Sequence, residues 1–464
     1  MWLTCGLWSV IVYHPFGRGG DLPSATPQPT PHPMKILLVH KGDAGHGGAQ
    51  IQMKRLCSGL RARGVGARIL CRDATLYDSI RMPARPSLER WLRRITHPLG
   101  LNDIHLVSSF DLAHMPDFKD ADLIDFHCFH HEALSYLALP ALTAEKPAVF
   151  TFHDMWPFTG HCHASLECQR WLTGCGGCPH PEVAPAIRRD ATALEWKLKR
   201  RAYASSRFTI VTPSMWLADL ASRSMVADFE IVHIPHGIDT TVYQPLDKAL
   251  CRRMLGIPPG SRVLVFGAES MARSLKGGDL LGAALNRLPP SIKRDTVLLI
   301  FGQADPAFLR EAGMKTLLLG YLSNEQLKVQ ALSAADLFVN PTRAESFSLV
   351  VMESMACATP VASFAVGGVP ELVRPGITGF LAEPESADSL AEAIVLALDD
   401  RAALKKMGGA CRDVVMQEYP IELQAARYAQ LYERVIHGRR GPSSMDDLPS
   451  TAAIQRPSCG WASM

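Results

Sequence analysis

The chain has 464 residues, and its 48 Lys and Arg against 45 Asp and Glu leave a net charge of only +3, which excludes a protein that grips nucleic acid through a broad basic surface. A hydrophobic fraction of 47% over this length supplies two or three domains with buried cores, and no run nears the roughly 18 apolar residues of a membrane-spanning helix. Twelve Cys spread over so long a chain are not a disulfide-stapled secreted domain, so a reduced, cytoplasmic compartment is expected.

In chain order, residues 1–33 look foreign to the rest of the chain. Met1 to Tyr13 is apolar but lacks a basic first stretch and a small-residue cleavage site, so it makes a poor signal peptide. Asp21 to Pro33 is rich in Pro, Ser and Thr and reads as a disordered leader. Met34 opens a clean strand and is read as the natural start; a membrane-touching leader is the alternative.

A strand at 35–40, a glycine loop from Gly42 to Gly48, a helix from Gln50 to Arg63 and a strand at 67–71 predict the opening of a doubly wound α/β domain. Further strands are expected at 123–127, 148–153, 208–213 and 230–235, with a linker between Pro235 and Asp247. A second alternation begins at 263–267 and continues through 296–302, 316–320, 337–340 and 360–363. Helices are expected at 390–398, 402–418 and 421–437, and the tail from Gly438 reads as disordered. Two Rossmann-like domains, 34–240 and 241–420, would face a central cleft, with the helix 421–437 returning to the first of them.

In the first half, Gly47 and Gly48 let backbone approach a ligand, although the loop is neither a dinucleotide fingerprint nor a P-loop. His153 ends an apolar strand, where side chains point into the crevice of an open α/β sheet; His127 is a weaker candidate of the same kind, and a satisfied core histidine is the alternative for both. Cys162, Cys168, Cys175 and Cys178 follow in the order Cys-x5-Cys-x6-Cys-x2-Cys, which fits either a structural zinc, with His161 or His163 as substitute ligands, or reduced thiols in a tight loop. Between Ala186 and Arg207, a run of Lys and Arg surrounds Trp196 and Tyr203; this segment reads as a solvated helix face or as a peripheral membrane contact.

The second half carries the most informative stretch, Glu345 to Glu353. After Asn340-Pro341-Thr342-Arg343, Glu345 is expected on a loop and Glu353 on the helix that comes next. Free N–H groups of Phe347, Ser348 and Leu349 at the helix start would suit a diphosphate, with one carboxylate left for a sugar and the other for a ribose. A surface helix that carries two Glu is the plain alternative. The stretch continues to Pro360-Val361, Gly367-Gly368-Val369-Pro370-Glu371 and Gly376-Ile377-Thr378-Gly379-Phe380-Leu381.

Taken in order, these pieces resemble the donor half of family 4 (group 1) retaining glycosyltransferases of the GT-B fold, in the polysaccharide-biosynthesis subset. The resemblance covers residues 34–437. It implies a transferase that moves a sugar from a nucleotide-diphosphate donor to a glycan or lipid-linked hydroxyl acceptor, in exopolysaccharide or lipopolysaccharide assembly, without a catalytic metal. It further implies that Glu345 and His153 contact the donor sugar, that Gly47 and Gly48 lie near its diphosphate, that Glu353 binds the ribose, and that Lys276 supports the leaving diphosphate. Family members also carry an arginine where Ala268 stands; Arg273 is the candidate to reach in instead. A GT-B epimerase or phosphorylase and a catalytically degenerate binding scaffold are the other readings, the scaffold supported by Ala268.

Overall fold

The computed structural model describes residues 33–43, 47–271, 273–304, 308 and 313–438. The expectations for the leader and tail therefore lie almost wholly outside the described residues.

Two parallel sheets organise the chain. The first contains β1 (Lys35–Gly42), β2 (Gly66–Asp73), β3 (Ile80–Arg81), β4 (Leu123–Phe126), β5 (Ala148–Thr151), β6 (Thr209–Thr212) and β7 (Ile231–His233), in the order β3-β2-β1-β4-β5-β6-β7. The second contains β8 (Arg262–Ser270), β9 (Thr296–Gln303), β10 (Lys315–Gly320), β11 (Leu337–Asn340), β12 (Val361–Phe364) and β13 (Gly379–Ala382), in the order β10-β9-β8-β11-β12-β13. The fold is α/β of the GT-B kind.

Both sheets are covered on both faces, as parallel sheets require. Leu37 and Val39 of β1 enter one apolar cluster while Ile36 and Leu38 enter another, and Val263 and Val265 of β8 part in the same way from Leu264 and Phe266. This is the two-residue alternation of a strand expressed as two cores.

Each sheet reverses its winding once, between β1 and β4 and between β8 and β11. Ligands of open α/β sheets bind outside the carboxyl ends of the strands at such a reversal. The glycine loop leaves β1, His127 follows β4, the Lys276 loop leaves β8 and the Glu345 loop leaves β11. Topology alone thus gathers the candidate groups at the two crevices.

The last helix, Ile421–Ile436, returns to the first sheet. Its Ala425, Tyr428, Leu431 and Tyr432 recur at helical spacing and share a cluster with Ile36, Leu38, Met53 and Leu56. The Tyr432 hydroxyl donates to Asp125 Oδ2 at 2.6 Å, and Gln52 Nε2 donates to Gln424 Oε1 at 2.6 Å.

Three details differ from the sequence reading. The two-residue strand Ile80–Arg81 is too short to leave a pattern, and Gly379–Ala382, beyond the last expected strand at 360–363, is a strand paired to β12. The segment read as a basic, aromatic face forms the helix Thr192–Ala204, but Trp196 and Tyr203 are buried. Their polar atoms bond inward, Trp196 Nε1 to Trp171 O at 3.0 Å and Tyr203 Oη to Pro157 O at 2.8 Å. These two aromatics serve the core, which removes them as membrane anchors.

Candidate functional site

The site is built from two loops of the second domain that lock together. The helix Leu349–Ala356 starts after Ser348, so Glu345 lies on the loop before it and Glu353 within it. The glycine pair after β12 fixes the Glu345 backbone. Gly367 adopts a φ of +56°, and a Cβ there would stand 1.9 Å from the Glu345 carbonyl oxygen; one on Gly368 would stand 2.2 Å from that of Ser346. Only glycines permit this approach, and the Gly368 N–H uses it to donate to Glu345 O at 3.0 Å. The loop after β8 docks in the same way: a Cβ on Gly277, at a φ of +66°, would meet Pro341 O at 1.8 Å. This docking brings Lys276 Nζ to 2.8 Å from Glu345 Oε2.

The first domain meets these loops directly. The Ser346 hydroxyl donates to the His153 carbonyl. The Phe347 ring stands 5.1 Å from His236, which stacks on His153 at 5.3 Å. His153 Nε2 lies 3.0 Å from His127 Nδ1. Burial, and then the neighbouring His236 and His127, holds the His153 pKa well below the usual value. Burial also takes His40 and His236 down to about 3. His40, His153 and His236 are therefore neutral imidazoles, which offer hydrogen bonds rather than charge. His130 is the exception. Burial opposes its charge, but Cys128 and Asp154 outweigh that and raise its pKa, with Nε2 lying 3.0 Å from Asp154 Oδ2.

Gly47, at a φ of +83°, precedes the helix Gly48–Ala62, and Gly48 faces Leu349, whose Cδ1 stands 3.6 Å from where a Cβ would lie. The glycine loop thus abuts the start of the helix Leu349–Ala356; Ala44 to His46 lie outside the described residues. Ser348 occupies the N-cap position without capping the helix, and its Oγ is buried with no partner. An uncapped first turn beside an orphaned hydroxyl suits an anion.

Sequence reasoning missed the partners of Glu353. Arg55, on the helix Gly48–Ala62, places Nη2 2.7 Å from Glu353 Oε1, while Lys328 Nζ lies 3.1 Å from Oε2. Burial would raise the Glu353 pKa, but Lys328 and Arg55 reverse this and lower it. The only signal in the sequence was a Glu inside an apolar run, which demands a cation but does not say which one.

Arg273 is not brought to the others. Its guanidinium is exposed and pairs with Glu269 at 3.1 Å. Cys162, Cys168, Cys175 and Cys178 do come together, lining one cavity of about 20 Å³, and His161 Nε2 lies 3.2 Å from Cys178 Sγ. Among the described residues, no three His, Cys, Asp or Glu side chains are already arranged to hold a metal ion.

The sequence pattern of Glycosyltransferase Family 4 matches residues 46–242, and that of Glycosyl transferases group 1 matches residues 261–400. The chain belongs to the family 4, group 1 glycosyltransferases. It is 33% identical over 233 residues to D-inositol 3-phosphate glycosyltransferase 1 of Catenulispora acidiphila, a match spanning 46% of this chain and 54% of that protein. The match to the Mycolicibacterium smegmatis D-inositol 3-phosphate glycosyltransferase is 25% identical over 417 residues, 82% of this chain and 87% of that one. The chain thus spans about half the length of the first of these relatives and most of the second.

Among solved structures, sucrose-phosphate synthase from Thermosynechococcus elongatus superposes with a TM-score of 0.65 at 21% identity, over 88% of this chain and 100% of that one. Anabaena HepE, solved with UDP-glucose, superposes at 0.63 and 16% identity, over 86% and 99%. At such identities the likeness is one of fold.

Proposed function

We propose that the chain transfers a sugar, with retention of anomeric configuration, from a nucleotide-diphosphate sugar to a hydroxyl acceptor in exopolysaccharide or lipopolysaccharide assembly. The observation that carries this reading is the Lys276–Glu345 pair, held beside an uncapped helix start and against His153 of the other domain. Glu345 holds donor hydroxyls, and the N–H groups of Phe347, Ser348 and Leu349 receive the diphosphate. Lys276 balances the charge that grows as the diphosphate leaves, where a placed cation helps most. Glu353 receives the ribose: an ionised carboxylate has about four acceptor positions, so Arg55 and Lys328 do not exhaust it. His153, kept neutral, contacts the sugar.

A structural zinc among the four cysteines is a separate proposal, supported by their shared cavity; the ion would draw the thiols inward, and metal analysis of the purified chain should find one zinc per chain.

The test of the transferase reading is a thermal-shift panel of UDP-, GDP-, ADP- and TDP-sugars. A donor at about 100 times its dissociation constant stabilises by about 2.7 kcal/mol. One donor class should shift the parent and not Glu345→Ala. Silence across the whole panel would favour the degenerate scaffold, and donor turnover without an acceptor would favour an epimerase.

A further inference from the structure

The helix Pro86–Thr96, with the short turn His97–Leu99 behind it, is turned inside out. Of the residues on the helix, the one it buries is an acid, Glu89, which accepts from Ser108 N at 2.9 Å and lies 3.1 Å from Arg72 Nη1. Its large apolar side chains face outward. Trp91 is 57% exposed, Ile95 47%, Leu88 43% and Leu99 41%. These residues are spaced by three and four, so they form one stripe along the helix. Scattered exposed apolar side chains need no explanation, but a continuous stripe over three turns does.

The stripe is flanked by cations. Arg90, Arg93 and Arg94 are exposed; Arg93 pairs with Glu132 at 2.8 Å, whereas Arg90 and Arg94 make no ion pair among the described residues. With Glu89 buried, the helix shows no free carboxylate. Eleven residues are far too few to span a bilayer, and no described helix is long and apolar enough to do so. A short helix with Trp and Leu on one face and Arg on the others lies in the plane of a membrane surface.

We propose that this helix seats the first domain on an anionic bilayer, with Leu88, Trp91, Ile95 and Leu99 entering the headgroup–acyl boundary and Arg90 and Arg94 meeting lipid phosphates. Charge decides for this occupant over a second copy of the chain, since two such helices face to face would bring their arginines together.

The full chain should be sedimented with vesicles of phosphatidylcholine alone and with a phosphatidylglycerol fraction, at low and high salt. Binding should require the anionic lipid and weaken with salt. The triple variant Leu88→Ser, Trp91→Ser, Ile95→Ser, altered only at exposed positions, should bind at least tenfold more weakly, and Arg90→Glu with Arg94→Glu should lose about as much. Equal binding to both vesicle types, or a triple variant that binds like the parent, overturns the proposal. So does a dimer that the triple variant dissolves while vesicles are ignored. Sugar-nucleotide shifts should be the same in parent and variants, which keeps this test apart from that of the transferase reading.

Discussion

Arg55 and Glu353 are 298 residues apart in sequence and 2.7 Å apart in space. One sits on the helix after β1 and the other on the helix after β11, so the pair ties the two crevices together. Their side chains are 10% and 3% exposed. Arg55 also reaches Tyr243 Oη at 3.1 Å and Glu325 Oε1 at 3.2 Å, which makes it the centre of a polar knot rather than one end of a pair.

Removing one partner of a buried pair costs about 3–5 kcal/mol, because the other charge stays buried. Lys328 still neutralises Glu353, so Arg55→Met should fall at the low end, about 3 kcal/mol. Glu353 has a lowered pKa, and a depressed carboxyl gives stability that is present above its unfolded value and lost as pH falls through the folded one. Without Arg55 the Glu353 pKa rises and less stability is left to lose, so the gap between parent and variant should narrow as pH falls through the acid range. Urea midpoints at constant slope check this; a midpoint equal to the parent's would mean that the pair contributes nothing.

Lys276 poses the opposite case. Its side chain is 36% exposed and that of Glu345 is 18% exposed, so the pair contributes about 1 kcal/mol or less to folding. Its expected contribution is to the transition state, where losing one placed charge lowers turnover by about 10² to 10³. Lys276→Ala should thus keep its melting temperature within a degree or two and lose most of its kcat. A variant with intact kcat would remove Lys276 from the chemistry.

Gly367→Ala tests the scaffold beneath Glu345. The new Cβ would collide with the Glu345 carbonyl, at a φ that alanine rarely adopts. The chain must move one loop or the other, at a cost of about 1–3 kcal/mol. Donor binding should weaken tenfold or more, although no side chain of the site has changed. Gly409→Ala, which meets nothing within 4 Å, is the control. Equal donor binding by all three proteins would show that the loop lock is not needed.

These cases also mark what the sequence could show. The loops of Lys276, Glu345 and His153 were legible because each follows an apolar strand, and such strands end at the crevices. Arg55 and Lys328 were not, because a buried carboxylate announces its need for a cation without addressing it. Trp196 and Tyr203 were misread because composition says nothing about which face of a helix turns inward. The helix Pro86–Thr96 escaped notice for a related reason: its apolar stripe faces outward and its acid inward.

The histidine cluster makes the last prediction. His40 and His236 titrate near 3 in the folded chain, and His153 is held well below its usual value. Unfolded, each would take a proton near pH 6.5. A base with a depressed folded pKa gives stability that is whole above the unfolded value and falls as pH drops beneath it. Each histidine that stays neutral in the folded chain contributes about 1.4 kcal/mol per pH unit below its unfolded value, as His40 and His236 do between about pH 5 and 6. His130 runs the other way: raised by Cys128 and Asp154 against its burial, it gives stability below about pH 6.5 that is lost as pH rises through its folded pKa. Within the acid window it is charged in both states and leaves the slope alone. Urea unfolding of the parent and of His236→Phe at three pH values across that window should give slopes that differ by about 1.4 kcal/mol per pH unit. Equal slopes would mean that His236 opens to water and charges while the chain stays folded, and the neutral lining proposed for the sugar site would fall with it.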